Sequence, residues 1–350
     1  MATQPIPTGA VTLLDLAKSL DPDGKPAKVA ELLDQNVEAI QDVPFMQGNL
    51  TTGNRSTVRT GLPDIFWRRA YKGIPPSKST RAQVDDACGV MEARAEVDTL
   101  ILRLYENPSA YRLSEAKAFI EAMGQKFLQT LFYGDSSVSP DQFHGLTPRY
   151  NTRDANTPIS RNVLSAGGAG ADNTSLWLVC WGDDTVTGIY PKNTQAGLTQ
   201  KDLGEYDAKD ADGNAYRVVG DMYTWDVGLA VRDWRYAVRI ANVDMSDLIG
   251  VTGTQALTAS TNILKMMIEA MALIPNGGKG RPVFYARREV TTALAKMALD
   301  KSSPGVLSIE RATDQLGAVR PGFAGEGTLK FMGVPIRTVD QLLATESVVS

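Results

Sequence analysis

One histidine in 350 residues, His144, is the scarcest of the chemically versatile side chains here. Its solitude excludes every multi-histidine metal site and most nucleophile–histidine triads. It follows a predicted long helix, in a polar loop, where a structural role is expected. Cysteine is nearly as rare. Cys88 and Cys180 lie far apart with no second Cys or His at ligand spacing, so a zinc site is excluded. A disulfide between them and two buried free thiols stay open, with free thiols favoured because free Cys is usually buried. Long apolar runs are missing too. Residues 176–181 form one of the longest, far short of a bilayer span, and the N-terminus lacks the basic-then-apolar layout of a signal peptide. No membrane partner and synthesis in a cytoplasm are the expectations. Nor does one charge sign dominate: 36 basic against 40 acidic residues give −4, which excludes a strongly basic nucleic-acid binder.

Catalytic and ligand-binding patterns are equally thin. No Ser, Thr or Cys sits in a nucleophile context such as Gly-x-Ser-x-Gly. Gly167-Gly168-Ala169-Gly170 is followed by no Gly-Lys-Ser/Thr, so it is no phosphate loop. Asp207, Asp210, Asp212 and Gly213 resemble part of a calcium loop, but Ala208 breaks the alternation and Val219 stands where a closing Glu is required. A hairpin turn accounts for them better. No catalytic residue, cofactor or metal is expected.

What is present is a pattern of elements. Residues 113–134 have the clearest helical period: Ala116, Phe119, Ile120, Met123, Phe127 and Leu131 recur at three- and four-residue steps. Ser114 is placed to cap this helix, and Gly134 to end it in a left-handed conformation. Gly124 inside it would admit a close strand or loop crossing. Before it, residues 11–20 and 26–40 read as two short N-terminal helices. Residues 55–60, 64–71 and 78–86 read as strand-like runs separated by glycine and proline. After it come a buried strand at 176–181, a hairpin turning at 210–214, and one long strand over 223–243 with a bulge near Asp233. Asp233 and Arg235 read as a cross-strand ion pair. The last third predicts helices over 255–274 and 287–300 around a strand at 282–285, then a strand ending near Arg337.

Charge is distributed unevenly. Residues 51–81 hold Arg55, Arg59, Arg68, Arg69, Lys72, Lys78 and Arg81 against Asp64, a local +6, with Phe66, Trp67 and Tyr71 among them. Residues 183–212 hold seven acids against three lysines, a local −4. Arginines and aromatics are what protein interfaces favour, so the basic stretch is predicted to lie against an acidic patch, such as 183–212 of a neighbouring subunit. The contact candidates are Arg55, Arg59, Phe66, Trp67, Arg68, Arg69, Tyr71 and Lys72 on one side and Asp207, Asp210 and Asp212 on the other. Stacking on single-stranded nucleic acid is an alternative use of the basic stretch, and a hydrolase using acidic residues is a third class.

The order of parts resembles the major capsid proteins of tailed bacteriophages with the Hong Kong ninety-seven fold, those of short-tailed phages in particular. The resemblance rests on a helical arm, a basic extended loop with Gly61-Leu-Pro63, a long helix closing on Leu131-Phe-Tyr-Gly134, the following Val138-Ser-Pro-Asp-Gln-Phe-His-Gly-Leu146, and Phe331-Met-Gly-Val-Pro-Ile336. It implies an α+β fold: arm (1–44), extended loop and return strand (45–108), spine helix and following loop (109–150), peripheral antiparallel sheet (151–250) and axial α/β lobe (251–350). One departure from the family order, the long strand at 227–240 preceding the last helices, suggests a permuted topology. No motif places the family's inter-subunit Lys–Asn cross-link. By resemblance the chain self-assembles into hexamers and pentamers of an icosahedral shell in the virion, built in the host cytoplasm. Its partners would be further copies, portal, scaffold and cement proteins, and double-stranded DNA held without sequence readout.

Overall fold

In the computed structural model the described residues are 39–104, 107–210, 212–249, 254–275, 279–299, 307–310 and 328–350. The two predicted N-terminal helices lie outside them, apart from a last turn, α1 (Ala39–Asp42). The chain then runs β1 (Phe45–Gln47), β2 (Gly53–Gly61), β3 (Thr80–Asp98), α2 (Thr99–Leu104), α3 (Pro108–Tyr133), β4 (Val163–Ser165), β5 (Asn173–Trp181), β6 (Val186–Tyr190), β7 (Thr199–Lys209), β8 (Ala215–Val231) and β9 (Ala237–Asp244). It closes with α4 (Met245–Ile249), α5 (Thr254–Leu273), β10 (Arg281–Ala286), α6 (Arg288–Leu299), β11 (Leu307–Glu310), β12 (Thr328–Phe331) and β13 (Val334–Thr338). The mixture is the α+β content expected.

Two compact units share this chain discontinuously. The first takes residues 90–127 and 197–226 of the described chain. Its core is the stripe of α3 on the far half of β8: Phe119 stacks on Tyr223 with centroids 5.5 Å apart, and Phe127 meets Trp225 at 4.8 Å. Val97, Ile101 and Leu102 add a small cluster with Tyr111 and Val219. Arg112 bridges Asp221 at 2.8 Å and Asp202 at 3.1 Å, tying α3 to the β7–β8 hairpin. Ile120 was expected in the stripe but is exposed.

The second unit takes residues 38–89, 128–196 and 227–350. Its main sheet runs β12-β13-β10-β5-β9-β4, with β10/β13 and β4/β9 parallel and the other neighbours antiparallel. One face carries Leu176, Leu178, Val238, Ile240, Phe284 and Ile336 against Met267 and Ala270 of α5 and Val290 and Leu294 of α6. The other carries Trp177 and Tyr285, which pack on Phe132 and Tyr150. Covered on both faces, β5 is buried throughout, which is why its sequence is a continuous apolar run rather than an alternation.

Five expectations are corrected here. A boundary at 250/251 cannot hold, because β5 and β9 from before it pair with β10 from after it, directly and through β5. The long strand over 223–243 is two strands. A 3-10 turn at Trp234–Tyr236 interrupts it, Asp233 capping that turn and pairing with Arg235 two residues on rather than across strands. β8 then pairs with β6 and β9 with β5, and both still precede the last helices. α3 starts six residues before Ser114: Asn107 Oδ1 accepts from the Ala110 N–H at 3.1 Å, and Pro108 fills the first helical position. Gly134 ends α3 without a positive φ. Glycine is required there because a Cβ would lie 2.6 Å from the carbonyls of Phe143 and Thr130. The free carbonyls of the last turn are met by the returning chain, Leu146 N–H donating to Leu131 O at 2.9 Å and Thr147 N–H to Phe132 O at 2.7 Å.

Candidate assembly interface

The basic stretch forms a hairpin. β2 and β3 pair antiparallel from Gly53↔Ala87 outward to Gly61↔Thr80, as the alternation at 55–60 and 78–86 predicts. The register sets Arg55 opposite Asp85, and the guanidinium grips both carboxylate oxygens, Nε–Oδ1 at 2.6 Å and the second nitrogen to Oδ2 at 2.7 Å. That hydrogen bonding raises the Arg55 pKa and lowers that of Asp85. An exposed pair of this kind sets geometry more than stability. At the base, Asp86 is buried and paired with Arg149 at 2.8 Å, which also donates to the carbonyls of His144 and Gly145. The hairpin is thereby fastened to the loop that follows α3.

Beyond the stem, residues 62–79 contain no strand, so the expected strand at 64–71 is a loop. The cause lies in composition: Gly61, Pro63, Gly73, Pro75 and Pro76 punctuate it. Ser77 Oγ ties back to the Asp64 carbonyl at 2.7 Å, and Tyr71 turns the chain with φ 63°. The side chains at this tip stand in open solvent. Ile65 is 92% exposed, Trp67 101% and Tyr71 105%, with Phe66, Arg68, Arg69 and Lys72 exposed around them. Large apolar side chains grouped this way on a basic loop make it a candidate contact surface.

Arg55 and Arg59 thus sit on the stem and the other basic candidates at the tip, all on one hairpin of the second unit. Asp207, Asp210 and Asp212 belong to the first unit, on and beside the β7–β8 turn. Glu205 and Asp207 share Arg217 at 3.5 and 4.0 Å. Asp210 is consumed by its own turn: its carboxylate accepts from the N–H groups of Asn214 at 2.7 Å and Asp212 at 3.0 Å, the first of which does most to lower its pKa. This is the hairpin turn expected in place of a calcium loop. Asp212 is exposed. Both cysteines are free thiols, with burial pushing Cys180 up to about 12. His144 sets its Nδ1 3.3 Å from Ser136 Oγ and 3.7 Å from Asp135. No cluster able to hold a metal occurs among the described residues, and no described helix is long and apolar enough to cross a membrane.

Sequence reading missed the anchors that hold the sheet's deeper face. Arg239 and Glu346, both buried, pair at 2.8 Å, with Ser175 and the Tyr150 carbonyl completing the guanidinium's bonds. Asp42, also buried, accepts from Arg281 at 2.9 Å and Arg337 at 3.1 Å. Partners this far apart in sequence leave no local signal.

Comparison with known proteins follows the same lines. The family model of major capsid protein GP7 matches residues 21–350. No curated protein matches in sequence. Among solved structures, a chain of bacteriophage Epsilon15 aligns over 99% of this chain and 98% of its own, with 26% identity and a TM-score of 0.73. A chain from the capsid of a native GTA particle aligns over 64% of this chain and 95% of its own, with 10% identity and a TM-score of 0.46.

Proposed function

The chain belongs to the major capsid protein GP7 family, a structural component of a phage shell and virion that assembles with copies of itself, and from that premise we propose how its surfaces build the shell. Subunits gather into hexamers and pentamers through the β2–β3 hairpin, whose tip lies on an acidic surface of a neighbour. The acidic stretch 183–212, with Asp207 and Asp212 at one end, is the counterpart by charge. The closed shell surrounds double-stranded DNA, contacted through charge alone. Portal and scaffold proteins, and a cement protein where the shell needs one, complete the assembly in the host cytoplasm.

The observation that carries this reading is the tip. Trp67 and Tyr71 are fully exposed on their own subunit. Burial of such rings removes about 150–250 Å² each from water, on the order of 4–6 kcal/mol apiece by area before ordering costs. A stable monomer gains nothing by leaving that surface wet. Each contact stays modest, and closure multiplies it.

Sedimentation and negative-stain microscopy of the purified full chain test the proposal. Rings or shells are expected, and Trp67→Ala with Tyr71→Ala should leave folded subunits that no longer close. A wild-type chain that remains an inert monomer at high concentration overturns it.

A further inference from the structure

Residues 339–350 follow β13 without helix or strand of their own, meeting the sheet only in an isolated bridge between Glu346 and Asn173. Groups from earlier in the chain hold this strap largely by its backbone. Tyr133, the last residue of α3, accepts from the Leu343 N–H at 2.9 Å. Asn242, in β9 with φ 58°, accepts from the Val349 N–H and donates to the Val349 carbonyl, both at 2.9 Å. Arg287 donates to the Leu342 carbonyl. The Glu346 N–H donates to the Asn173 carbonyl at 2.8 Å, and its carboxylate accepts from Tyr133, Ser175 and Arg239.

The attachment is more polar than apolar. Val339, Leu342 and Val349 are buried, while Leu343 and Val348 stay exposed. At its centre is the buried Arg239–Glu346 pair, and the desolvation of two charges offsets much of their attraction. The face of β5 that carries Ser175 holds two more buried polar atoms, Asn173 Oδ1 and Trp177 Nε1, with no hydrogen-bond partner among the described residues. That face does not favour being dry. Lifting the strap would return two charges to water and uncover few apolar side chains. Such a segment opens at a lower free energy than the sheet beneath it.

A short chain of contacts leads from the strap to the base of the β2–β3 hairpin. Arg239, held by Glu346, donates to the Tyr150 carbonyl at 2.8 Å. The residue before, Arg149, pairs with buried Asp86 of β3, whose second carboxylate oxygen has no hydrogen-bond partner among the described residues. Arg149 thus fastens the hairpin, and the strap's ion pair holds the backbone beside it. We propose that residues 339–350 are a latch: closed, they fix Tyr150 and Arg149 and with them the hairpin's base; lifted, they release it. Every group the latch binds precedes it in chain order, so during synthesis it closes last. A subunit becomes competent to assemble when it closes, a consequence that rests on the shell reading, whereas the coupling itself belongs to the free subunit.

Hydrogen exchange on free subunits of the full chain tests the coupling. In wild type the amides of Leu343, Glu346 and Val349 should exchange together, at least about tenfold faster than those of β5. Tyr133→Phe takes one hydroxyl from the latch and should speed those three about tenfold. The Cys88 N–H, which donates to the Thr52 carbonyl at 2.9 Å at the hairpin's base, should speed by about the same factor, with β5 unchanged. Asn242→Gly keeps the positive φ accessible, removes the clamp on Val349 and should repeat the pattern. Both variants should assemble about tenfold more slowly than wild type. A latch that exchanges only with the slowest amides of the sheet overturns the inference, as does one that neither variant loosens. A loosened latch beside an unchanged Cys88 amide, or with assembly at the wild-type rate, overturns it too. Coupled exchange in a wild-type chain that forms no shells removes the shell reading and keeps the latch.

Discussion

Arg239 and Glu346 show what a single residue decides here. They are 107 positions apart, 3% and 5% exposed at the side chain, and joined at 2.8 Å. Glu346 also accepts from Tyr133 and Ser175, and burial together with that carboxylate pushes the Tyr133 pKa up. Glu346→Ala would leave a buried guanidinium without its counter-charge, a loss of about 3–5 kcal/mol, readable in urea unfolding of the free subunit. His144 makes a second prediction with a defined sign. Burial first, then the charge of Arg149, lowers its pKa, with Asp135 and Asp86 opposing. The unfolded chain therefore takes up the proton first on acidification. Stability is full above the ordinary histidine value and declines as pH falls from there to the lower folded value. His144→Gln should flatten the stability curve just below about pH 6.5, and the single imidazole makes the titration directly visible by NMR. An unchanged curve would show that the site is indifferent to charge.

At the scale of elements, α3 separates what periodicity reveals from what it hides. Its stripe through Ala116, Met123, Phe127 and Leu131 was legible because a buried helix face must repeat at three and four residues. Its ends were misplaced, because Asn107 and Ser114 are both good caps and only the fold chooses. Asn107→Ala should cost about 1 kcal/mol, and Ser114→Ala less than about 0.5 kcal/mol, by thermal unfolding. Gly134→Ala should cost about 1–3 kcal/mol, because its Cβ would be driven against two carbonyls. A small change at Gly134 would mean that the returning chain yields there. β5 was equally plain as a buried strand, while its neighbours were not. β9, β10 and β13 reach the sheet from three separate stretches, and pairing over such distances writes nothing into local sequence. The same blindness fused β8 and β9, since a 3-10 turn of Trp, Arg and Tyr keeps the aromatic content of a strand.

For the whole molecule, composition told more than any motif. The scarcity of histidine and the +6 stretch point from catalysis to contact, and residues 62–78 are exposed. Hidden in the sequence was a difference within the basic stretch: Arg55 is taken by Asp85 in its own hairpin, whereas Arg68, Arg69 and Lys72 are exposed and make no ion pair among the described residues. Charge and apolar area at the tip can be separated by salt. Exposed charges are screened beyond about 10 Å at 0.1 M and about 3 Å at 1 M, while ring burial is not weakened by salt. If Arg68 and Arg69 steer subunits onto an acidic neighbour, light-scattering assembly rates should fall as salt rises from about 0.05 to about 0.5 M. Arg68→Glu with Arg69→Glu should slow assembly about tenfold or more at the low end and erase the salt dependence. Trp67→Ala should slow it at every salt concentration, because the lost area is not electrostatic. Should the double reversal assemble at the wild-type rate across that range, the tip's charge has no part in docking, and its aromatic side chains alone hold the neighbour.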